Sequence, residues 1–217
     1  MVLGLPFIIG VRSLWLVDMH MLKRSFLLFV VLSVPSVTFD ADFGKAMEEV
    51  VVINNVRYPV PSPWQGHKIT AKTLTVPPLM QIPVALTENE SKLFLLDKAC
   101  LALIQMAADA EKDGVYFEVD SSYRSSWYQK KIFIRMMAEG REFNDIVRYV
   151  APPGYSEHAL GTVVDFTPSN WRFAGTPAYN WLKNNAGRFG FFETLPESSK
   201  RETPWEAWHW KYIGVGE

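Results

Sequence analysis

The segment PPGYSEHALGTVVDF, residues 152–166, sets an imidazole, His158, and a carboxylate, Asp165, seven residues apart in an otherwise apolar run. On a continuous helix the two would sit ~10 Å apart along the axis, and on a straight strand ~23 Å. Neither arrangement lets them meet. Zinc needs its ligand atoms ~2 Å from a common centre, so for both residues to bind one ion the chain must fold back between them. Gly161 can supply that bend, after which Gly161, Val163 and Asp165 share one face of a strand. The segment predicts a turn carrying His158 and a strand carrying Asp165 that converge. They hold either a metal ion or a direct His–Asp hydrogen bond.

A second segment bears on that choice. Glu206 and His209, in EAWH, are spaced as a Glu-x-x-His pair. A catalytic zinc site uses three protein ligands and keeps a fourth position open. With His158, Asp165 and His209 as ligands, Glu206 remains an unligated carboxylate arriving by the same loop. Such a group can take the proton from a water that zinc acidifies. By itself, Glu-x-x-His is equally the pattern of a surface pair. WEAWHWKYIG also alternates Trp208, Trp210 and Tyr212 with His209, Lys211 and Ile213, so His209 and the tryptophans face opposite sides of a strand.

The remaining pattern reads as helices followed by short strands. Residues 87–114 form the clearest helix, with Thr87 and Glu90 in capping-box spacing and Gly114 as the stop. Leu93, Leu96, Ala99, Cys100, Leu103 and Met106 make its core face. VYFEV (115–119) alternates as a strand, and residues 121–140 turn into a second helix ending at Gly140. A short helix near Ala178–Asn185 and a strand at Phe189–Thr194 follow. This order indicates an α+β fold, with helices packed on a small antiparallel sheet. Residues 41–86, rich in Val, Pro and Tyr, read as an extended lead-in that wraps the domain, with His67 in a loop, at the surface or at a substrate's edge.

Length and composition bound the rest. The chain has 217 residues, 48% of them hydrophobic, and 22 basic against 23 acidic residues without a basic stripe, which argues against nucleic acid as a partner. Around residues 21–39, Lys23 and Arg24 precede a short apolar run, Phe26–Val34, and then small residues, in the order of a secretory signal. Residues 1–40 are therefore expected to be a targeting segment, with Met19 or Met21 as a possible true start. Cleavage is expected between about Val37 and Asp42. The mature chain would keep no membrane span and would be exported to the periplasm or cell envelope. The single cysteine, Cys100, permits no intrachain disulfide and reads as a small buried hydrophobe.

Taken together, Ser156-x-His158-x-x-Gly161-x-x-x-Asp165, then Glu206-x-Trp208-His209 and a closing WKYIG, closely resemble the VanY-type D-alanyl-D-alanine carboxypeptidases. These belong to the LAS group of zinc peptidases, which cleave bacterial peptidoglycan peptides. The resemblance covers roughly residues 85–214; SSYRS (121–125) with Gln129 looks like the family's substrate-binding segment. It implies the LAS (Hedgehog-like) fold in a catalytic domain over residues 87–217, with one zinc on His158, Asp165 and His209 and Glu206 as general base and proton shuttle. It also implies that Arg124 stabilises the oxyanion, while Ser121, Tyr123, Gln129 and Ser156 hold the peptide. Tyr123 and Trp208 also read as plain core aromatics. Val163 stands where the family usually has alanine, and its extra volume would narrow the site without touching a ligand. The implied substrates are peptidoglycan stem peptides, with no obligatory protein partner. L,D-carboxypeptidase, peptidoglycan endopeptidase and an inactive wall-binding module are the alternatives.

Overall fold

The structure, a computed structural model, describes residues 48–69, 78–197 and 203–214. The expected targeting segment, residues 1–40, and its expected cleavage region lie outside them. The elements in chain order are β1 (Val50–Ile53), β2 (Val56–Pro59), β3 (Leu79–Gln81), β4 (Phe94–Leu96), α1 (Asp97–Lys112), β5 (Val119–Ser121), α2 (Ser126–Ala138), α3 (Phe143–Ile146), β6 (Val163–Phe166), α4 (Pro177–Asn185), β7 (Phe191–Glu193) and β8 (His209–Tyr212).

A four-stranded antiparallel sheet in the order β5-β6-β8-β7 forms the centre. Two two-stranded antiparallel pairs, β1-β2 and β3-β4, precede it in sequence. This is the mixed helix and small antiparallel sheet architecture that the sequence predicts. Register matters most for the site: Ser121 pairs with Asp165, and Asp165 pairs with His209, so three neighbouring strands set these residues side by side.

Helix α1 supplies the main core. Ala99, Cys100, Leu103, Met106 and Ala110 form its buried stripe, packed in one cluster with Val164, Phe166, Phe191 and Trp210 of the sheet. Burying a large side chain of this kind stabilises by roughly 1.5–3 kcal/mol. Gly114, with φ +72°, follows the end of α1 as expected. The start differs from the expectation. Thr87 and Glu90 do not open α1; they belong to a separate short turn, where the Thr87 hydroxyl donates to the carbonyls of Val84 and Ser91. Leu96 lies in β4, paired with Leu79 of β3, and α1 begins at Asp97. The next strand is displaced as well. VYFEV contributes only Val119, because β6 offers four residues for pairing and β5 matches them over Val119–Ser121.

Helices α2 and α4 stand where the sequence puts them, and each is capped. The Ser125 Oγ accepts from the Tyr128 N–H at 3.1 Å, and the Thr176 Oγ1 accepts from the Tyr179 N–H at 3.1 Å. Caps of this type contribute ~1 kcal/mol each. Pro177 occupies the first turn of α4, where its missing N–H costs nothing. Among the described residues, no helix is long and apolar enough to cross a membrane.

The lead-in is more structured than extended pieces alone. Asn54 and Asn55, with φ of 48° and 64°, close β1 and β2 into a tight hairpin, the left-handed pair that Asn tolerates best after glycine. Val51, Ile53 and Val60 then join Phe133, Phe143, Ile146 and Tyr155 in a second apolar cluster. Polar ties fix the hairpin there. The Tyr155 hydroxyl donates to Glu49 at 2.7 Å, the Gly66 N–H donates to the same carboxylate at 3.0 Å, and Trp64 Nε1 donates to the Val147 carbonyl at 2.8 Å.

Candidate metal centre and active site

The turn predicted between His158 and Asp165 is present. Residues Glu157–Leu160 form a single 3-10 turn, and Gly161 ends it in the left-handed conformation, φ +70°. A Cβ at Gly161 would lie 3.1 Å from Leu96 Cδ2 and 3.2 Å from Leu79 Cδ2, so the absent side chain also lets the β3-β4 pair close over the turn. The chain then enters β6, whose four residues are all buried, and reaches Asp165.

His158, Asp165 and His209 are all buried, and one ligand atom from each lies within 4.8 Å of the others. His158 Nε2 is 3.0 Å from Asp165 Oδ2, and His209 Nδ1 is 2.9 Å from Asp165 Oδ1. The other imidazole nitrogens are engaged outward. His158 Nδ1 lies 2.7 Å from the Ser122 carbonyl, and His209 Nε2 lies 3.4 Å from Glu157 Oε2. A carbonyl can only accept, so His158 carries its proton on Nδ1 and turns a lone pair on Nε2 toward Asp165. Tetrahedral zinc with bonds of ~2.0–2.1 Å places ligand atoms ~3.3 Å apart, inside the 4.8 Å limit that holds for the three here. Two imidazoles and a carboxylate, with outward nitrogens anchored, form a donor set suited to zinc.

The electrostatics follow from burial and proximity. Burial works against the charged form of Asp165, but the two imidazoles beside it, His158 foremost, hold its carboxyl well below the usual range. Burial pushes His158 toward its neutral form, the form that binds a metal. Glu206 arrives from the loop before β8; its N–H donates to the Leu195 carbonyl, and its Oε2 lies 3.7 Å from His209 Nδ1. Burial pushes its carboxyl up to about 7, an effect that His209 offsets in part and Asp165 reinforces. Arg124 approaches from the other side, with Nη2 3.6 Å from Asp165 Oδ2, and its Nε is buried without a protein partner.

These groups open onto a cavity of about 650 Å³. Ser121, Arg124, Gln129 and Ser156 lie on its wall with the three candidate ligands and Glu206. Gln129, on α2, is 1% exposed; its Nε2 donates to the Ala151 carbonyl while its Oε1 has no protein partner. Tyr123 is not on the wall; it is half-buried beside β4, its N–H donating to the Phe94 carbonyl. Trp208 both borders the cavity and packs on the main core. The exposed His67 also borders it, with Trp64, so the lead-in builds part of the wall. Sequence reasoning missed Ser122 and Glu157. Ser122 acts through a backbone carbonyl, which leaves no mark in the side-chain pattern, and Glu157 acts through contacts with distant strands.

Residues 92–215, more than half of the chain, match the family model described as VanY, D-alanyl-D-alanine carboxypeptidase. A D-alanyl-D-alanine carboxypeptidase of Enterococcus faecalis is 34% identical over 116 residues, which are 49% of this chain and 43% of that protein. The matched region thus spans less than half of that relative. Among solved structures, a mutant of the vancomycin-resistance D,D-pentapeptidase VanY from a VanB-type cassette, in complex with Zn(II), superposes with a TM-score of 0.54. It has 28% identity and covers 68% of this chain and 84% of that one. The LD-carboxypeptidase LdcB shares the fold, with a TM-score of 0.61 at 24% identity over 77% of this chain and 85% of that one. On the family match, the chain belongs to the VanY D-alanyl-D-alanine carboxypeptidases.

Proposed function

We propose that this protein is an exported zinc carboxypeptidase that removes the C-terminal D-alanine from peptidoglycan stem peptides. The observation that carries the reading is one cluster: His158, Asp165 and His209 within 4.8 Å of one another, with Glu206 and Arg124 beside them on one cavity wall. Family membership and the zinc-bound VanY relative support the same chemistry.

His158, Asp165 and His209 would hold the ion, which when bound supplies a Lewis acid that acidifies water and polarises the scissile carbonyl. Glu206, shielded from solvent and left out of the ligand set, takes a proton from the attacking water. As the new C–O bond forms and the C–N bond breaks, it passes that proton to the departing amine of D-alanine. Arg124 offers a fixed positive charge to the oxygen that becomes negative on the way. Ser121, Gln129 and Ser156 line the same cavity and orient the peptide; the orphaned Gln129 Oε1 leaves an acceptor for a peptide N–H. Tyr123, whose N–H donates to the Phe94 carbonyl, ties this segment to β4.

Residues 1–40 direct export, which brings the enzyme to a substrate that lies outside the cytoplasmic membrane; the residues from 87 onward carry the catalytic domain. N-terminal sequencing of the mature protein checks the first part.

The decisive assay measures zinc per chain together with D-alanine release from a stem pentapeptide and from a tetrapeptide. About one zinc per chain with release from the pentapeptide is the expected result. Release only from the tetrapeptide would make it an L,D-carboxypeptidase. Glu206→Ala should keep its zinc and lose turnover by ~10²–10⁴-fold, the range a positioned general base contributes. Undiminished turnover would remove Glu206 from the mechanism.

A further inference from the structure

Glu157 has no part in the proposed reaction, yet it is held more firmly than a surface carboxylate beside a catalytic turn needs to be. Its two oxygens divide their contacts. Oε1 accepts from Lys211 Nζ at 2.8 Å; Oε2 accepts from Thr194 Oγ1 at 3.1 Å and lies 3.4 Å from His209 Nε2. These partners come from separate places in the sheet. Lys211 and His209 are two residues apart on β8, so their side chains leave the strand on the same face and flank one carboxylate. Thr194 directly follows β7, the strand paired with β8. Glu157 itself sits next to His158 in the same 3-10 turn.

We infer that Glu157 is a positioning residue for the metal centre, fixing His209 from behind. With His209 Nδ1, which faces Asp165, given to the ion, Nε2 is the nitrogen that would carry the proton and needs an acceptor. Glu157 Oε2 is that acceptor. The hydrogen bond fixes the ring's tautomer and its rotation about the Cβ–Cγ bond. Lys211 and Thr194 keep the acceptor from swinging away. One short turn thereby presents one ligand, His158, and orients a second, His209, linking two ligands that are far apart in sequence. The Ser122 carbonyl does the corresponding work for His158, but it is backbone and fixed by the sheet edge. Glu157 is the side chain in this outer layer that substitution can remove. Partners of this kind typically change metal affinity by ~10–100-fold.

The inference rests on the zinc reading above, and the test separates the two. Zinc affinity is measured by competition with a chromophoric chelator, and the cobalt(II)-substituted protein is recorded by visible absorption, for wild type, Glu157→Gln, Glu157→Ala and Lys211→Met. Wild type that binds no zinc would sink the metal reading itself. If wild type binds, Glu157→Ala should weaken zinc by ~10–100-fold and alter the cobalt spectrum. Glu157→Gln, which keeps an acceptor oxygen of the same reach, should recover most of the affinity. Lys211→Met, which leaves Glu157 in place but frees it to move, should fall between. All four proteins are compared by thermal unfolding without metal. Equal zinc affinity and an unchanged cobalt spectrum in folded Glu157→Ala would overturn the inference. If Glu157→Ala does not fold, equal affinity in both Glu157→Gln and Lys211→Met would do the same.

Discussion

Replacing Gly161 with alanine should cost about 2 kcal/mol of stability and weaken metal binding in the same step. The backbone there has φ +70°, where an L-residue meets its own carbonyl at a cost of ~1–2 kcal/mol. The new methyl would stand 3.1 Å from Leu96 Cδ2 and 3.2 Å from Leu79 Cδ2. Both neighbours are ends of flexible side chains that can give way by a few tenths of an ångström, which adds ~1 kcal/mol of overpacking. Alanine also narrows the unfolded ensemble and recovers ~0.4–1 kcal/mol, leaving about 2 kcal/mol as the net. For a domain of this size the melting temperature should fall by ~4–8 °C. The strain lies between His158 and Asp165, so its relief displaces one candidate ligand relative to the other. Urea unfolding of the zinc-free protein gives the stability term, and chelator competition gives the affinity. The two contributions separate in the Leu79→Ala/Leu96→Ala background, where both close contacts disappear and the backbone part stays. A loss below ~0.5 kcal/mol, within the range of surface substitutions, together with unchanged zinc affinity, would refute the claim that this left-handed residue brings the ligands together.

Asp165 touches both imidazoles, and Asp165→Ala should abolish stoichiometric zinc binding and lower stability by ~3–5 kcal/mol, the cost of stranding buried partners. Retained zinc stoichiometry would remove it from the ligand set. Glu49 gives a pH dependence with a definite sign. Donation from the Tyr155 hydroxyl, then from the Gly66 N–H, holds its carboxyl below the ordinary glutamate range, although some burial opposes this. Its ionised form therefore favours the folded state, a contribution present above the ordinary glutamate value of ~4.3 and lost as pH falls through the lower folded value. Wild type should unfold at higher urea than Glu49→Gln near neutrality, and the gap should close in acid; a gap independent of pH would show that the carboxylate charge is irrelevant.

The site was more legible in the sequence than the fold around it. His158, Gly161 and Asp165 lie within one short segment, so local geometry already demanded a reversal at the glycine. The alternation of β8 put His209 on the face opposite Trp210, as observed: His209 meets Asp165, while Trp210 joins the main core. What failed was set by distant partners. Leu93 and Leu96 fit a helical stripe as well as a strand, and the choice fell to β4 because Leu79–Gln81 supplies a mate from the lead-in. Residues 115–118 alternate well, but pairing along β6 reaches back only as far as the Glu118 carbonyl, which accepts from the Thr167 N–H, so β5 begins at Val119. The hairpin of the lead-in had its own local signal in Asn54-Asn55, which a reading centred on prolines passed over.

The docking of that hairpin also bears on how the molecule assembles. Glu49 meets Tyr155 across 106 residues, and Trp64 meets Val147 across 83, so these contacts close long loops that α1, α2 and α3 lie within. Bringing the ends of such loops together carries an entropic cost that rises with loop length and is repaid only once both partners exist. The hairpin, made early in synthesis, must therefore wait for the turn at residues 152–155 before it has a surface to bind. Docking of the hairpin, and with it the wall formed by Trp64 and His67, depends on chain that follows it by 83 to 106 residues.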